Sequence, residues 1–285
     1  MKIIVSYRGI PQSPGWATGD CVVRAFQALG HEAVAYGNYY QTQRRLEGNR
    51  NVLAEEWDLY LQMECGDGDP FYSELSDTRS RKRATWWFDA ALYPQRWIQQ
   101  TSLISSDMNF IANSNMLYES FKTEYLPYAA DSKLHVRPAS HHKYRAFGFV
   151  GSDRPERQAL AAQLSFANVE LKSGIFRDDF INYLAGSRYV INDIAGGGIG
   201  LVAMRPFEAL AAGAALITPK NDGVRSLGLP CIEYGSSEEL VSICRNLYDN
   251  DVLPNNDGQE AILRNHTYER RCQDILEKLF PYEGI

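Results

Sequence analysis

No apolar run in this 285-residue chain approaches the roughly 20 residues that cross a bilayer, and its opening stretch, 1-MKIIVSYRG-9, reaches a turn too soon for a secretory leader. The expectation is a cytoplasmic protein with no membrane span. Cysteine is scarce and oddly counted: Cys21, Cys65, Cys231, Cys244 and Cys272 include no C-x-x-C pair, and each sits in or beside an apolar run. That excludes a disulfide framework and fits buried thiols in a reducing compartment. Positive charge is not in excess, since 29 Lys and Arg face 35 Asp and Glu for a formal charge of −6. A protein-wide basic footprint for nucleic acid is therefore absent. There is no internal repeat of fixed period and no low-complexity tract.

What is present is core material: 45% of residues are apolar and 12% aromatic, enough for two moderate cores. Residues 2–7 form a β-branched run followed by a Gly- and Pro-rich loop. Val22, Val23, Phe26 and Leu29 then recur at helical spacing until Gly30, and 33–36 reads as a second strand. Strands are expected at 58–63, 84–88 and 108–112, with helices at 94–100 and 118–125. Residues 127–144 carry two prolines and no clean period, and the interdomain connection is placed there. A second alternating series follows, with strands at 146–150, 189–193, 215–218 and 231–234. Helices are expected at 154–164, 176–184, 206–212 and 237–248, and one amphipathic helix at 259–280. Strands alternating with helices in this way build parallel sheets, and two α/β halves fit better than one continuous sheet.

The most informative stretch is 192-NDIAGGGIGLVAMRPFEALAAGAALIT-218. A strand runs into a cluster of glycines, including Gly197 and Gly198, which can offer backbone N–H groups to a phosphate next to a helix N-terminus. Pro206 suits the first helical position, which sets Arg205 just before the helix and Glu208 in its first turn. Glu208 there is either an acceptor for a ribose diol or a favourable first-turn charge. The loop lacks both the G-x-G-x-x-G order and a P-loop lysine.

The run RPFEALAAGAALIT resembles the donor segment of GT-B glycosyltransferases, and its company resembles the spore-maturation, CgeB-like branch related to family 4. That company is 125-YLPYAAD-131, 147-FGFVGSDRPERQ-158 and 266-HTYERRCQDIL-276, with a looser likeness at 18-TGD-20, 29-LGH-31 and a strand reaching Asp89. The resemblance implies an α/β GT-B architecture of two Rossmann-like domains facing each other across a cleft. An acceptor-binding domain would span 1–135 and a nucleotide-sugar-binding domain 145–265, with a helix at 266–285 crossing back. Glu208 matches the second glutamate of the family 4 E-x7-E motif, which holds the donor ribose. Its partner position is Gly200, a departure that leaves sugar identity and stereochemistry open.

Around this frame, Gly151, Ser152 and Arg154 are expected near the donor nucleotide, although Ser152 or Asp153 can equally be a helix N-cap. Asp20 is read as a helix N-cap or as an acceptor contact or general base, with Asp89 as the second catalytic candidate. Glu64, Asp67 and Asp69 form a turn rather than a metal site, and the adjacent His141 and His142 point apart on regular backbone, so no metal is expected. The basic stretches 79-RSRKR-83 and 141-HHKYR-145 are surface charge or phosphate contacts. The expected function is a glycosyltransferase moving a sugar, a hexose first, from a nucleoside diphosphate donor, UDP-sugar first, to an acceptor hydroxyl without a bound cofactor. The acceptor can be a saccharide, a protein, a small molecule or modified DNA. The alternatives are an epimerase or hydrolase on the same scaffold and a non-catalytic nucleotide- or sugar-binding structural protein.

Overall fold

A computed structural model describes residues 1–39, 45–46, 54–63, 78–88, 94–95, 98, 105–114, 121–137, 142–193, 202–254 and 257–281. The sequence-based helix at 94–100, the glycines at 196–198 and 200, Asp89, His141 and the 64–70 turn lie wholly or mostly outside them. The chain divides into two compact units, Met1–Tyr128 with Tyr268–Ile285, and Ala129–Thr267.

Unit 1 holds a six-stranded sheet ordered β2-β1-β3-β4-β5-β6, in which every pair is parallel. Its strands are β1 Lys2–Ser6, β2 Glu32–Tyr36, β3 Glu56–Met63, β4 Arg79–Trp87, β5 Met108–Ile111 and β6 Thr123–Tyr125. Ile3, Ile4 and Val5 are all fully buried, so this strand is covered on both faces, as the unbroken apolar run requires. Of the helix expected over 118–125, residues 118–120 lie outside the described residues and 123–125 form instead the short edge strand β6, because pairing with β5 outweighs a weak local helical pattern.

Helix α1 (Thr18–Ala28) buries Val22 and Phe26, and the last helix, α8 (Tyr268–Leu279), packs against it with Cys272 Sγ 3.8 Å from Val22 O. The single helix expected over 259–280 is two, α7 (Asp257–Asn265) and α8, broken at His266–Thr267. At that break the chain returns from unit 2 to unit 1. Ala130 N donates to His266 O at 2.9 Å within unit 2, while the buried Arg271 gives its guanidinium to Pro127 O and Tyr128 O at 3.0 and 3.3 Å within unit 1. The stretches 125–131 and 266–276 are thus the two crossing segments. Asp131 contributes structurally, accepting from Lys133 N and Leu134 N at 2.9 Å each.

Unit 2 carries a five-stranded parallel sheet ordered β11-β10-β9-β7-β8. The strands are β7 Arg145–Val150, β8 Leu171–Lys172, β9 Ser187–Ile191, β10 Ala215–Pro219 and β11 Cys231–Tyr234. The helices of this unit are α2 Pro155–Gln163, α3 Arg177–Ala185, α4 Met204–Ala211, α5 Asp222–Ser226, α6 Ser237–Asp249 and α7. Phe147, Phe149, Tyr189, Ile191 and Ile217 pack with Leu160 and Leu164 of the α2 region and with Leu240 and Cys244 of α6. Lys143 ties the far ends of α3 and α4, its ammonium donating to Ala185 O and Gly213 O at 2.7 Å each. Among the described residues no helix is long and apolar enough to cross a membrane.

The basic stretch 79–83 is the first half of β4. Arg81 pairs with Asp58 at 3.1 Å, Lys82 with Asp107 at 3.4 Å, and Arg83 donates to Thr78 O. In 142–145, Lys143 is engaged as above and Arg145 donates to Tyr183 O at 3.0 Å.

Gly19 shows how closely α1 meets β1: a Cβ built on it falls 2.0 Å from the Tyr7 ring. In an open helix Gly→Ala stabilises by up to about 1 kcal/mol, but here the overpacking reverses the sign. Gly19→Ala is expected to destabilise unit 1 by about 1–3 kcal/mol, read as a lower urea midpoint with unchanged slope.

Candidate functional site

In both sheets the first strand sends the next to one side and the following one to the other, so the crossover directions diverge between β1 and β3 and between β7 and β9. Ligands in open α/β sheets bind outside the carboxyl ends of the strands at such points.

In unit 2 the carboxyl ends of β7 and β9 are joined by one side chain. Arg157, in the first turn of α2, donates through Nε to Asp193 Oδ2 at 3.1 Å and through Nη2 to Asp193 O at 2.8 Å. Its Nη1 reaches Ser152 Oγ at 2.8 Å and Ser152 O at 3.2 Å. Gly151 makes this possible, since a Cβ there would lie 2.6 Å from Arg157 Nη1. The sequence reading took Gly151, Ser152 and Arg154 as the ligand-facing residues and passed over Arg157. Only its place in the first turn of the helix that follows Gly151 could have signalled it. Arg154 is exposed and is itself the extended N-cap residue of α2, so neither Ser152 nor Asp153 caps the helix. Asp153 instead accepts from Gln158 Nε2 at 2.8 Å.

Helix α4 begins two residues earlier than expected. Ala203 takes the N-cap conformation and Pro206 is the third helical residue, where its missing N–H costs nothing because the first amides of a helix have no internal partner. Arg205 is therefore inside the first turn and Glu208 in the second. They form an ion pair of 2.7 Å, with Glu208 buried and the Arg205 guanidinium 4.5 Å above the Phe180 ring. Burial pulls the Arg205 pKa below its ordinary value; Glu208 opposes this, and the charge of Arg157 adds to the lowering. Two guanidinium groups thus stand within repulsive reach of each other beside the β7–β9 edge. Glu208 Oε2 accepts from Arg205, and among the described residues Oε1 has no hydrogen bond.

Helix starts differ across the sheet. α2, α3 and α4 have no side-chain cap, whereas α5 is capped by Asn221 on Gly223 N at 2.7 Å and α6 by Ser236 on Glu239 N at 3.2 Å. The helix ends nearest the β7–β9 divergence keep their positive ends uncovered by their own caps, which favours an anion. Gly197 and Gly198 lie outside the described residues.

In unit 1, Asp20 is the third residue of α1, not its N-cap, which is Ala17. Its Oδ2 accepts from Ala17 N at 2.8 Å and its Oδ1 from the Tyr7 hydroxyl. Burial, then the charge of Asp20, pushes the Tyr7 pKa up, so the phenol keeps its proton and donates. Strand register also aligns Ser6, Gln62, Thr85 and Asn109 across four neighbouring strands as a buried polar row, with Thr85 Oγ1 2.6 Å from Asn109 Oδ1. Among the described residues no group of three or more His, Cys, Asp and Glu is arranged to hold a metal ion.

Residues 132–277, just over half of the chain, match the glycosyl transferase-like family. No curated protein matches the sequence. Among solved structures, AviGT4, a glycosyltransferase involved in avilamycin A biosynthesis, aligns with a TM-score of 0.63 at 13% identity over 98% of this chain and 97% of that one. Sucrose-phosphate synthase from Thermosynechococcus elongatus aligns at 0.62 and 9% identity over 98% of each chain. Anabaena HepE in complex with UDP-glucose aligns at 0.57 and 13% identity over 98% and 96%. At such identities the likeness is one of fold, two Rossmann-like parallel-sheet domains consistent with the GT-B architecture. With its C-terminal half matched directly and its fold shared end to end, the chain belongs to the glycosyl transferase-like family, whose chemistry is sugar transfer.

Proposed function

We propose that the enzyme takes a sugar from a nucleoside diphosphate donor bound on unit 2 and passes it to an acceptor hydroxyl. The observation that carries this is the convergence of Arg157, Arg205 and Glu208 at the carboxyl edge of β7 and β9, beside two helix N-termini without side-chain caps. In this reading Arg205 and Arg157 hold the diphosphate, whose negative charge relieves their mutual repulsion and grows as the glycosidic bond breaks. Glu208 turns its second carboxylate oxygen to the ribose, Gly151 and Ser152 lie along the nucleotide, and Gly197 and Gly198 add backbone amides. UDP is the first donor nucleotide to try, since HepE is solved with UDP-glucose. The guanidinium pair does the charge-stabilising work that a divalent ion does in other transferases.

The family 4 relationship extends, in this proposal, to the CgeB-like branch, supported by the ordered stretches 125–131, 147–158, 205–218 and 266–276. Cys21, Cys231, Cys244 and Cys272 are thiols rather than disulfide halves, which supports a reducing, cytoplasmic setting. Within the two basic stretches Arg81, Lys82, Arg83, Lys143 and Arg145 are engaged with the protein's own acceptors, which favours a saccharide, protein or small-molecule acceptor over DNA. Asp20 and Asp89 remain the proposed acceptor-side carboxylates. Donor consumption that needs no acceptor would point instead to a hydrolase or epimerase.

Arg205→Ala and Arg157→Ala should each weaken UDP binding by about tenfold or more, the worth of a charge-assisted hydrogen bond, while uridine binding changes little. Equal losses for both ligands in calorimetry would remove these residues from the diphosphate.

Glu208→Ala would leave the part-buried Arg205 guanidinium without its carboxylate and cost about 1–3 kcal/mol of stability, so Glu208→Gln is the informative change. It should lower affinity for UDP and uridine alike by roughly fivefold, the difference between a charged and a neutral acceptor.

For Asp20, the Asn variant keeps one acceptor oxygen but turns an amide toward either Ala17 N–H or the Tyr7 hydroxyl. If Asp20 serves the acceptor, kcat should fall at least 100-fold with UDP affinity unchanged. A modest loss of stability with kcat preserved would make it purely structural.

A further inference from the structure

Unit 2 has a cavity of about 460 Å³ at the amino ends of β7 and β9, the two strands whose carboxyl ends make the donor edge. It serves none of the roles assigned above. Tyr144, Arg145 and Phe147 line it at the start of β7, Arg188 at the start of β9, and Tyr248 and Val252 at the end of α6 and in the turn that follows. That turn is fastened to β9: the Tyr189 hydroxyl donates to Val252 O at 3.2 Å, and Arg188 pairs with Asp251. The volume lies within the roughly 300–1,000 Å³ of small-molecule sites.

Two features of the wall point to a ligand, and the first is exposed aromatic surface held still. Tyr144 is 56% exposed, yet its ring packs on Gly186, where a Cβ would fall 2.1 Å from Tyr144 Cε1, and its hydroxyl donates to Asn182 O at 3.3 Å. Tyr248 is exposed as well, its ring T-shaped against Phe166 at 6.1 Å. Val252 and the adjoining Leu253, 71% exposed, add apolar surface. Apolar side chains gathered at one place mark binding sites, whereas scattered single ones need no explanation. Rings fixed in advance also bind at small entropic cost.

The second feature is charge. In a chain of net charge −6, the cations Lys143, Arg145 and Arg188 line this cavity with Asp251 as its one carboxylate, and Asp251 is taken by Arg188. Among the described residues neither Lys143 nor Arg145 has a carboxylate partner. Lys143 meets the carbonyls of Ala185 and Gly213, and Arg145 that of Tyr183. The Arg145 guanidinium lies 4.4 Å from the centre of the Tyr144 ring and 4.0 Å from that of Tyr183, which fixes a cation against the exposed ring. Burial without a counter-charge also lowers the Lys143 pKa to about 8. With two of the three Lys143 N–H groups committed and Asp251 on the wall, the cavity suits a monoanion better than a polyphosphate.

We propose that this cavity is a second ligand site of unit 2, taking a planar aromatic carboxylate whose ring lies against Tyr144 and Tyr248 and whose anionic group lies beside Arg145. It shares no residue with the donor edge at the other end of the same strands, so the inference goes beyond the donor reading and is tested separately.

The test is an NMR titration of the full chain with 2-naphthoate and 4-hydroxybenzoate, following the amides of 144–147, 188–189 and 247–252. The neutral 2-naphthalenemethanol and the ringless acetate are the controls. Saturable shifts with at least one aromatic carboxylate are expected, with the neutral analogue at least tenfold weaker and acetate not binding. Arg145→Met, which keeps the apolar stem, should weaken that carboxylate about tenfold, and the exposed Tyr248→Ala about fivefold. No saturable binding of either carboxylate, equal affinity for the neutral analogue, or binding that ignores both substitutions would overturn the proposal. So would UDP shifting these amides in place of the carboxylates. A failure of UDP to shift 151–157 bears on the donor reading only.

Discussion

The guanidinium of Arg157 is the constraint on which the rest of unit 2 depends. Parallel strands that diverge in crossover direction leave a gap at their carboxyl ends, and nothing in the sheet's own hydrogen bonding closes it. Here four hydrogen bonds from one side chain fix Ser152 to Asp193. The charge that does so also stands beside Arg205. Each cation keeps a carboxylate of its own, Arg157 on Asp193 and Arg205 on Glu208, so what the edge offers a ligand is guanidinium groups already held in place. The Glu208 oxygen not engaged by Arg205 is left able to serve a ligand as well.

Unit 1 is ordered around a different pair. Tyr7 fills the space that Gly19 leaves, and its hydroxyl meets Asp20, whose other oxygen holds the amide of Ala17. The start of α1 is thereby locked to the end of β1. A carboxylate held on both oxygens is positioned with little freedom, whichever of its proposed roles it fills. The two crossings of the chain are secured locally as well, by Arg271 on the carbonyls of 127 and 128 and by the Ala130–His266 backbone bond.

Much of this was legible in the sequence. Short apolar runs bounded by Gly and polar loops located β1, β2, β7, β10 and β11 to within a residue or two, and β1, whose residues 3–5 are buried on both faces, had the fewest alternatives. Helix starts were less legible. The N-caps Ala17, Arg154 and Ala203 contribute no side-chain hydrogen bond, so cap chemistry pointed to Asp20, Ser152 and Pro206 and shifted each start by one to three residues. β6 was missed because an edge strand of three residues is defined by its partner, not by its own pattern. Glu208 and Arg205 stand out in the sequence through the motif that resembles the family's donor segment, and the structure pairs them with each other. Arg157 does not stand out, since a lone arginine in a polar helix carries no signal until Gly151 and Asp193 are folded against it.

The central claim is that the β7–β9 edge of unit 2 holds the donor nucleotide. Its most direct test is a backbone-amide NMR titration of the whole chain with UDP. The account predicts saturable shifts concentrated at residues 151–157, 192–193 and 203–208, with the remainder of unit 2 little changed. Saturable shifts confined to unit 1, or to the β10 and β11 ends around Asn221 and Ser236, would contradict it.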